Sequence, residues 1–228
     1  EVKTEEEIEK LRTAESIGDE AFTHILGYLK PGITEREVAL ELEYYMKKNG
    51  AEGLSFDTIA ASGRNSSMPH AIPTDKKLED GDFLTMDFGS LYEGYCSDMT
   101  RTVAIGHATD SMRTVYETVL MAQTESMKMI KAGVPCNEVD AVARRIIADK
   151  GYGNCFGHGL GHSVGLFIHE NPRFSPKCTD VLKTGMVITV EPGIYLPGQF
   201  GVRIEDLVVV TENGFVNLTS SEKKLIVV

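Results

Sequence analysis

The sequence has no apolar run approaching the roughly eighteen residues of a membrane span, and no signal peptide is visible at its start. A membrane partner is therefore not expected. Basic residues are in deficit: 23 lysines and arginines against 34 aspartates and glutamates leave a formal charge of −11. That balance argues against nucleic acid or an anionic membrane as partner, and ordinary acidic solubility accounts for it. Cysteine is scarce and unpatterned. Cys96, Cys136, Cys155 and Cys178 show no CxxC spacing and read as free thiols in a reducing, cytoplasmic setting. Cys155 lies near His158, but nothing marks the orienting group that a thiol nucleophile needs. No proline- or serine-rich linker and no low-complexity stretch divides the chain. It opens on Glu1 rather than Met, as a processed chain or a piece of a longer one would. What is there is 228 residues, 42% apolar, enough to bury a substantial core.

That chain reads as one pattern written twice. Thr4-x-x-Glu7 is a capping box, and apolar residues at helical spacing run from Ile8 to Leu29. Lys30-Pro31-Gly32 breaks the helix, and Thr34-x-x-Glu37 opens a second one running to Gly50. Adding 101 to each number maps Lys30 to Lys131, Gly32 to Gly133, Glu37 to Glu138 and Gly50 to Gly151. A second helix pair is thus expected over Ser111–Lys131 and Cys136–Lys150.

Acidic residues recur at matched places after each pair. Asp87 lies in GDFLTMDFG and Glu191 in GMVITVEPG; overlaid, Gly81 meets Gly185, Thr85 meets Thr189 and Gly89 meets Gly193. Each acid closes a β-branched, apolar run, as at the end of a buried strand. A second strand then carries a second acid, Asp98 in SDMTRTV and Glu205 in VRIEDLVVV. Turns are expected at Glu93-Gly94 and Pro197-Gly198. Antiparallel pairing would bring each acidic pair to within roughly 4.5–5.5 Å, which destabilises a sheet unless a cation lies between. Two helix-pair-plus-hairpin units suggest a pseudo-twofold α+β domain, with halves about 1–105 and 106–228. The hairpins would meet in a curved antiparallel sheet, with the helices on its outer face and the donors converging on its concave one.

Four carboxylates and the imidazole of His162, between the two pairs, suit two divalent cations such as manganese, cobalt, iron or zinc. The absence of sulfur from the set argues against a closed structural zinc site. Two such ions about 3.5–4 Å apart can share and acidify a water and polarise a carbonyl, which points to hydrolysis. The stretch HGLGHSVGLFIHENPR adds His158 and His169 in glycine-rich surroundings, and His70 stands in SGRNSSMPHAIP. Neutral imidazoles beside a hydrolytic centre can donate to a developing oxyanion.

MDFG, CSDMTRT, HGLGHSVGLFIHE, TVEPGIY and GVRIEDLV together resemble the five motifs of the pita-bread metallopeptidases. Within that superfamily the chain most resembles the catalytic domain of Xaa-Pro dipeptidases (prolidases) and Xaa-Pro aminopeptidases. The resemblance implies that Asp87 binds one ion bidentately, that His162 and Glu191 bind the other, and that Asp98 and Glu205 bridge both. It makes Glu191 the acceptor of a proton from the water or hydroxide between the ions. It places His70, His169 and His158 around the substrate, and Arg203 as a brace for ligands or substrate. Two divalent ions, manganese or cobalt before zinc or iron, and a proline-containing peptide are the implied cofactors and partner; a homodimer is compatible. The family usually carries a smaller N-terminal domain, and this chain begins where the catalytic domain would.

Hydrolysis of the Xaa-Pro bond is thus the expected activity; that amide is tertiary and its φ fixed, which excludes it from many protease sites. Methionine aminopeptidases share the fold and ligands but typically carry histidine after the last glutamate, where this chain has Asp206. A non-catalytic peptide-binding scaffold typically loses ligands that are retained here. Arg173, after Asn171-Pro172, matches a position that in some prolidases binds a dipeptide's carboxylate, a task suited to a guanidinium.

Overall fold

Helices α1 (Glu5–Tyr28) and α2 (Glu35–Lys48) begin where the two Thr-x-x-Glu signals place them. In each, the backbone N–H of the glutamate donates to the threonine hydroxyl, and the threonine N–H donates to the glutamate carboxylate at 2.7 Å. Two donors that a helix start leaves open are thereby satisfied. The second pair is α3 (Asp110–Met127) and α4 (Cys136–Asp149). Helix α4 reproduces α2 at the offset of 101, but Pro135 replaces the capping threonine and offers no side-chain bond. Helix α3 stops four residues short of the expected Lys131. Ile130 turns inward to the core, and the Ala132 N–H donates to Thr211 O at 3.0 Å, so after Met127 the chain leaves the helical path for long-range contacts.

The computed structural model describes residues 1–228. Its first-half strands are β1 (Gly53–Leu54), β2 (Ile59–Ser62), β3 (Phe83–Phe88), β4 (Ser90–Tyr92), β5 (Tyr95–Cys96) and β6 (Met99–Ala104). The second half carries β7 (Gly161–Ser163), β8 (Glu170–Phe174), β9 (Val187–Val190), β10 (Gly193–Leu196), β11 (Phe200–Arg203), β12 (Asp206–Val210) and β13 (Phe215–Asn217). All pairings are antiparallel, in the orders β2-β3-β6, β1-β4-β5, β13-β12-β9-β7-β8 and β10-β11. The two halves meet where the Glu205 N–H donates to Thr100 O at 3.1 Å.

The repeat extends to single hydrogen bonds. Gly32 N–H donates to Leu78 O and Gly133 N–H to Leu182 O, both at 2.9 Å. The turn tips match as well, with Gly94 at φ 80° and Gly198 at φ 73°, conformations that L side chains avoid.

The acidic hairpins are each interrupted at their middle, and the register there corrects one expectation. Asp87 stands opposite Thr100, and Leu91 opposite Cys96, so continuing the same register sets Asp98 opposite Gly89. The turn is centred one residue later than midway between the two aspartates, which makes them diagonal neighbours on one face rather than a facing pair. The break holds because the chains close up at Gly89, where a Cβ would run into the Ser97 carbonyl oxygen. In the second half Leu196 pairs with Phe200 and Asp206 with Val190. Glu191 and Glu205 therefore do stand directly opposite.

Period-two alternation separates the core from the site. Leu84, Met86 and Phe88 with Met99 and Val103 pack against α1 and α2, while Ile188, Val190, Val208 and Val210 join the apolar cluster that holds α3 and α4. The opposite faces carry Thr85, Asp87, Thr100 and Thr102 in one half and Thr189, Glu191 and Glu205 in the other. A smaller cluster including Ile8, Leu11, Val187 and Leu207 joins α1 to the second-half sheet.

Candidate metal centre

Asp87 projects from the polar face of β3 near its end, Asp98 from the break before β6, and His162 from the middle of β7. Glu191 follows β9 directly and Glu205 sits between β11 and β12. All five line one cleft of ≈ 330 Å³, and His70, His158, His169, Arg173 and Arg203 line it too. Every residue singled out in the sequence for ligation, catalysis or substrate contact is therefore in one place. Cys155 is not among the lining residues, and both nitrogens of its neighbour His158 are otherwise engaged.

The donors crowd together. Ligating atoms of Asp98, His162 and Glu205 lie within 4.8 Å of one another. His162 Nε2 is 3.4 Å from both Asp98 Oδ2 and Glu191 Oε1. His162 Nδ1 lies 3.2 Å from Ser163 O; a carbonyl only accepts, so Nδ1 carries the proton and Nε2 presents its lone pair to the acids. Burial, reinforced by His169, lowers the His162 pKa to about 4. These contacts are accordingly not ion pairs at neutral pH.

One guanidinium organises much of the cleft wall. Arg203 Nη2 donates to Asp87 Oδ2 at 2.6 Å, Nε to Thr100 Oγ1 at 3.0 Å, and Nη1 to Tyr195 Oη at 2.8 Å. The Thr100 hydroxyl donates to Glu205 Oε2 at 2.6 Å. Tyr195 Oη in turn donates to His158 Nε2 at 2.8 Å, since His158 Nδ1–H is committed to Gly159 O. From α4, Asp140 accepts from the Leu160 N–H at 3.1 Å and Arg144 donates to the His158 carbonyl, framing the glycine-rich loop.

The electrostatics are those of too many acids in too little water. Burial first, then Glu205, Asp87 and Glu191, push the Asp98 pKa well above the carboxylate range. Burial with Glu191 and Asp87 does the same to Glu205. Burial drives Glu191 up to about 8 against the pull of Arg203. His158 falls to about 4 through burial and Arg203, and His169 is lowered by burial and Arg173.

Tyr195, Thr100 and Thr189 were not picked out as functional in the sequence. Thr189 donates to Glu191 Oε1 at 3.3 Å and accepts from the His162 N–H at 3.0 Å. Their signal was positional: Thr100 and Thr189 lie two residues from Asp98 and Glu191, on the same strand face. Phe56, Ile59 and Ile168 add an apolar wall that no motif marked.

A divalent cation fits this donor set. Asp87 Oδ1 is buried with no protein donor, carboxylates at ligating distance repel one another, and a lone-pair nitrogen faces them without a proton to give. Hard oxygens with one imidazole suit manganese, cobalt, iron or zinc.

Residues 9–212 match the model of metallopeptidase family M24. The chain is 51% identical over 99% of its length to the uncharacterized peptidase YqhT of Bacillus subtilis, covering 64% of that protein. It is 49% identical over 99% of its length to the Xaa-Pro dipeptidase of Pyrococcus furiosus, covering 65% of it. The crystal structure of X-Pro aminopeptidase from Thermotoga maritima superposes with TM-score 0.98 at 48% identity, covering 100% of this chain and 64% of that one. The chain thus spans slightly under two thirds of the length of these relatives, and it belongs to metallopeptidase family M24.

Proposed function

We propose that the chain hydrolyses the peptide bond before proline, in dipeptides or at peptide N-termini, with two divalent cations held by Asp87, Asp98, His162, Glu191 and Glu205. The observation that carries this reading is the convergence of those five donors, drawn from both halves of the repeat, on one cleft. Relatives named Xaa-Pro dipeptidase and X-Pro aminopeptidase support the substrate class. The family resemblance would assign Asp87 to one ion, His162 and Glu191 to the other, and Asp98 and Glu205 to both. Bound there, the ions, manganese or cobalt by preference, supply Lewis acidity toward the scissile carbonyl and lower the pKa of the attacking water.

Glu191 would accept the proton of the attacking water, its carboxylate steadied by the Thr189 hydroxyl, which donates to Oε1 at 3.3 Å. His70 and His169 contact the substrate around its carbonyl, and His158 lines the same pocket. Arg203 fixes Asp87 directly and Glu205 through Thr100. Phe56, Ile59 and Ile168 offer apolar surface to a proline ring or its neighbour. Arg173 stands beside His162 across the β7–β8 pair with no carboxylate partner of its own, which favours a dipeptide's free carboxylate as its ligand.

The wider proposal is a single pita-bread domain of two pseudo-twofold halves, with helices outside a curved sheet, acting in the cytoplasm and compatible with a homodimer. No helix is long and apolar enough to cross a membrane.

The test compares Xaa-Pro dipeptides, longer Xaa-Pro peptides and Met-Ala peptides with added manganese or cobalt, with Glu191→Ala as control. Turnover of Xaa-Pro dipeptides, lost in the control, is expected. A preference for Met-Ala would assign a methionine aminopeptidase instead. Two bound cations without turnover of any peptide would favour a non-catalytic scaffold.

A further inference from the structure

Helix α1 carries a carboxylate that the proposed reaction leaves unused. Glu15 is 0% exposed and no lysine or arginine pairs with it. Its two oxygens serve two different parts of the cleft's support. Oε2 accepts from the Asp98 backbone N–H at 3.3 Å. Oε1 accepts from the Thr219 hydroxyl. The same Thr219 oxygen accepts from the Leu207 N–H at 2.8 Å, which leaves its proton available to Glu15. Leu207 is two residues beyond Glu205 and pairs with Thr189, which bonds Glu191.

The neighbourhood of Glu15 is pinned on both sides. The Ser90 hydroxyl donates to Ala14 O at 2.8 Å, next to the hairpin break. One turn further along α1, Asp19 accepts from the backbone N–H and hydroxyl groups of Ser220 and Ser221, all within 2.8 Å. An apolar side chain of similar size would fill the same space without the penalty of burying a carboxyl group with no cation beside it. Packing alone does not call for an acid at this position; two donors aimed at it do.

We propose that Glu15 is a positioning residue for the cation site: its two oxygens tie the Asp98 backbone to the Thr219–Leu207 segment and so set the separation of Asp98 and Glu205. The proposal rests on Asp98 and Glu205 being cation ligands. Glutamine at this position keeps an acceptor for Asp98 N–H and can donate to Thr219, so it restores the link. Methionine removes both bonds, and Thr219→Val removes the second together with the Leu207 N–H bond to the same oxygen, cutting that end of the link entirely.

Cobalt(II) titration followed by visible absorption, with circular dichroism melts alongside, tests this on the 228-residue chain. Glu15→Met and Thr219→Val are expected to keep a cooperative melt while cobalt affinity falls at least ~10-fold with an altered spectrum, the scale of loss when ligand supports are removed. Glu15→Gln is expected to restore both. Unchanged cobalt affinity and spectrum in Glu15→Met and Thr219→Val would overturn the proposal. Should Glu15→Met fail to fold, Thr219→Val and Glu15→Gln decide alone: loss in the first with retention in the second supports the link, and any other pattern overturns it. Asp98→Asn separates the two levels. If it binds cobalt as the unaltered chain does, the ligand assignment itself falls; if it loses binding while the Glu15 and Thr219 variants are neutral, only the positioning role falls.

Discussion

At the scale of single residues, the cleft is a set of charges that need each other or a cation. Arg203 is the counter-ion present in the protein, and Asp87 is the acid it holds at 2.6 Å. Arg203→Leu is expected to destabilise the metal-free chain by about 3–5 kcal/mol, read by urea unfolding, because it leaves a buried acid without a partner. Glu191→Gln should keep the fold and the melt but lower peptide turnover on the order of 10²–10⁴-fold, the range of a lost general base. The five donors that line the cleft were legible because acids that close apolar strands at matched positions in both halves are costly unless a cation offsets their charge. Tyr195 and Thr100 were not, because a tyrosine or threonine in a strand is ordinary, and only the path of Arg203 across the cleft gives either one a task.

At the scale of elements, the repeat was readable wherever local chemistry writes it. Two capping boxes gave α1 and α2 their starts, and the offset of 101 placed α4 to within one residue of its end. The end of α3 was not readable, because the residues after it are held by core packing of Ile130 and a bond from Ala132 to distant Thr211, neither of which local spacing reveals. The facing of Asp87 and Asp98 failed for a subtler reason: a turn centred one residue off shifts the pairing by two, which spacing alone does not reveal. Gly89 lies against Ser97 O, next to Asp98 in the cleft lining. Gly89→Ala should therefore cost about 1–3 kcal/mol through overpacking against Ser97 O and should also weaken cobalt binding. Gly198→Ala, at a turn tip where an added methyl meets nothing within 4 Å, should lose only the left-handed penalty of about 1 kcal/mol and leave cobalt binding intact. Thermal melts and cobalt titration of the two variants make the comparison.

At the scale of the whole molecule, the halves are joined through their acids. Glu15 and Glu191 are both pushed up to about 8 from an ordinary 4.5 by burial, and Asp98 and Glu205 are raised with them. Below pH 4.5 folded and unfolded chains both hold these protons, so the acids contribute no pH dependence. Between 4.5 and 8 the unfolded chain releases them while the native metal-free chain keeps them, so stability falls as pH rises through that window. The melting temperature of the metal-free chain is expected to drop from pH 5 to pH 8, and manganese or cobalt should restore it at pH 8 far more than at pH 5. A metal-free melting temperature that rises over that range would refute the buried-acid picture.

The most direct measurement is anomalous diffraction from crystals grown with manganese. The account predicts two peaks in the cleft, about 3.5–4 Å apart, with Asp98 and Glu205 touching both and His162 touching one. A single peak, or manganese bound only outside the five side chains, would contradict it.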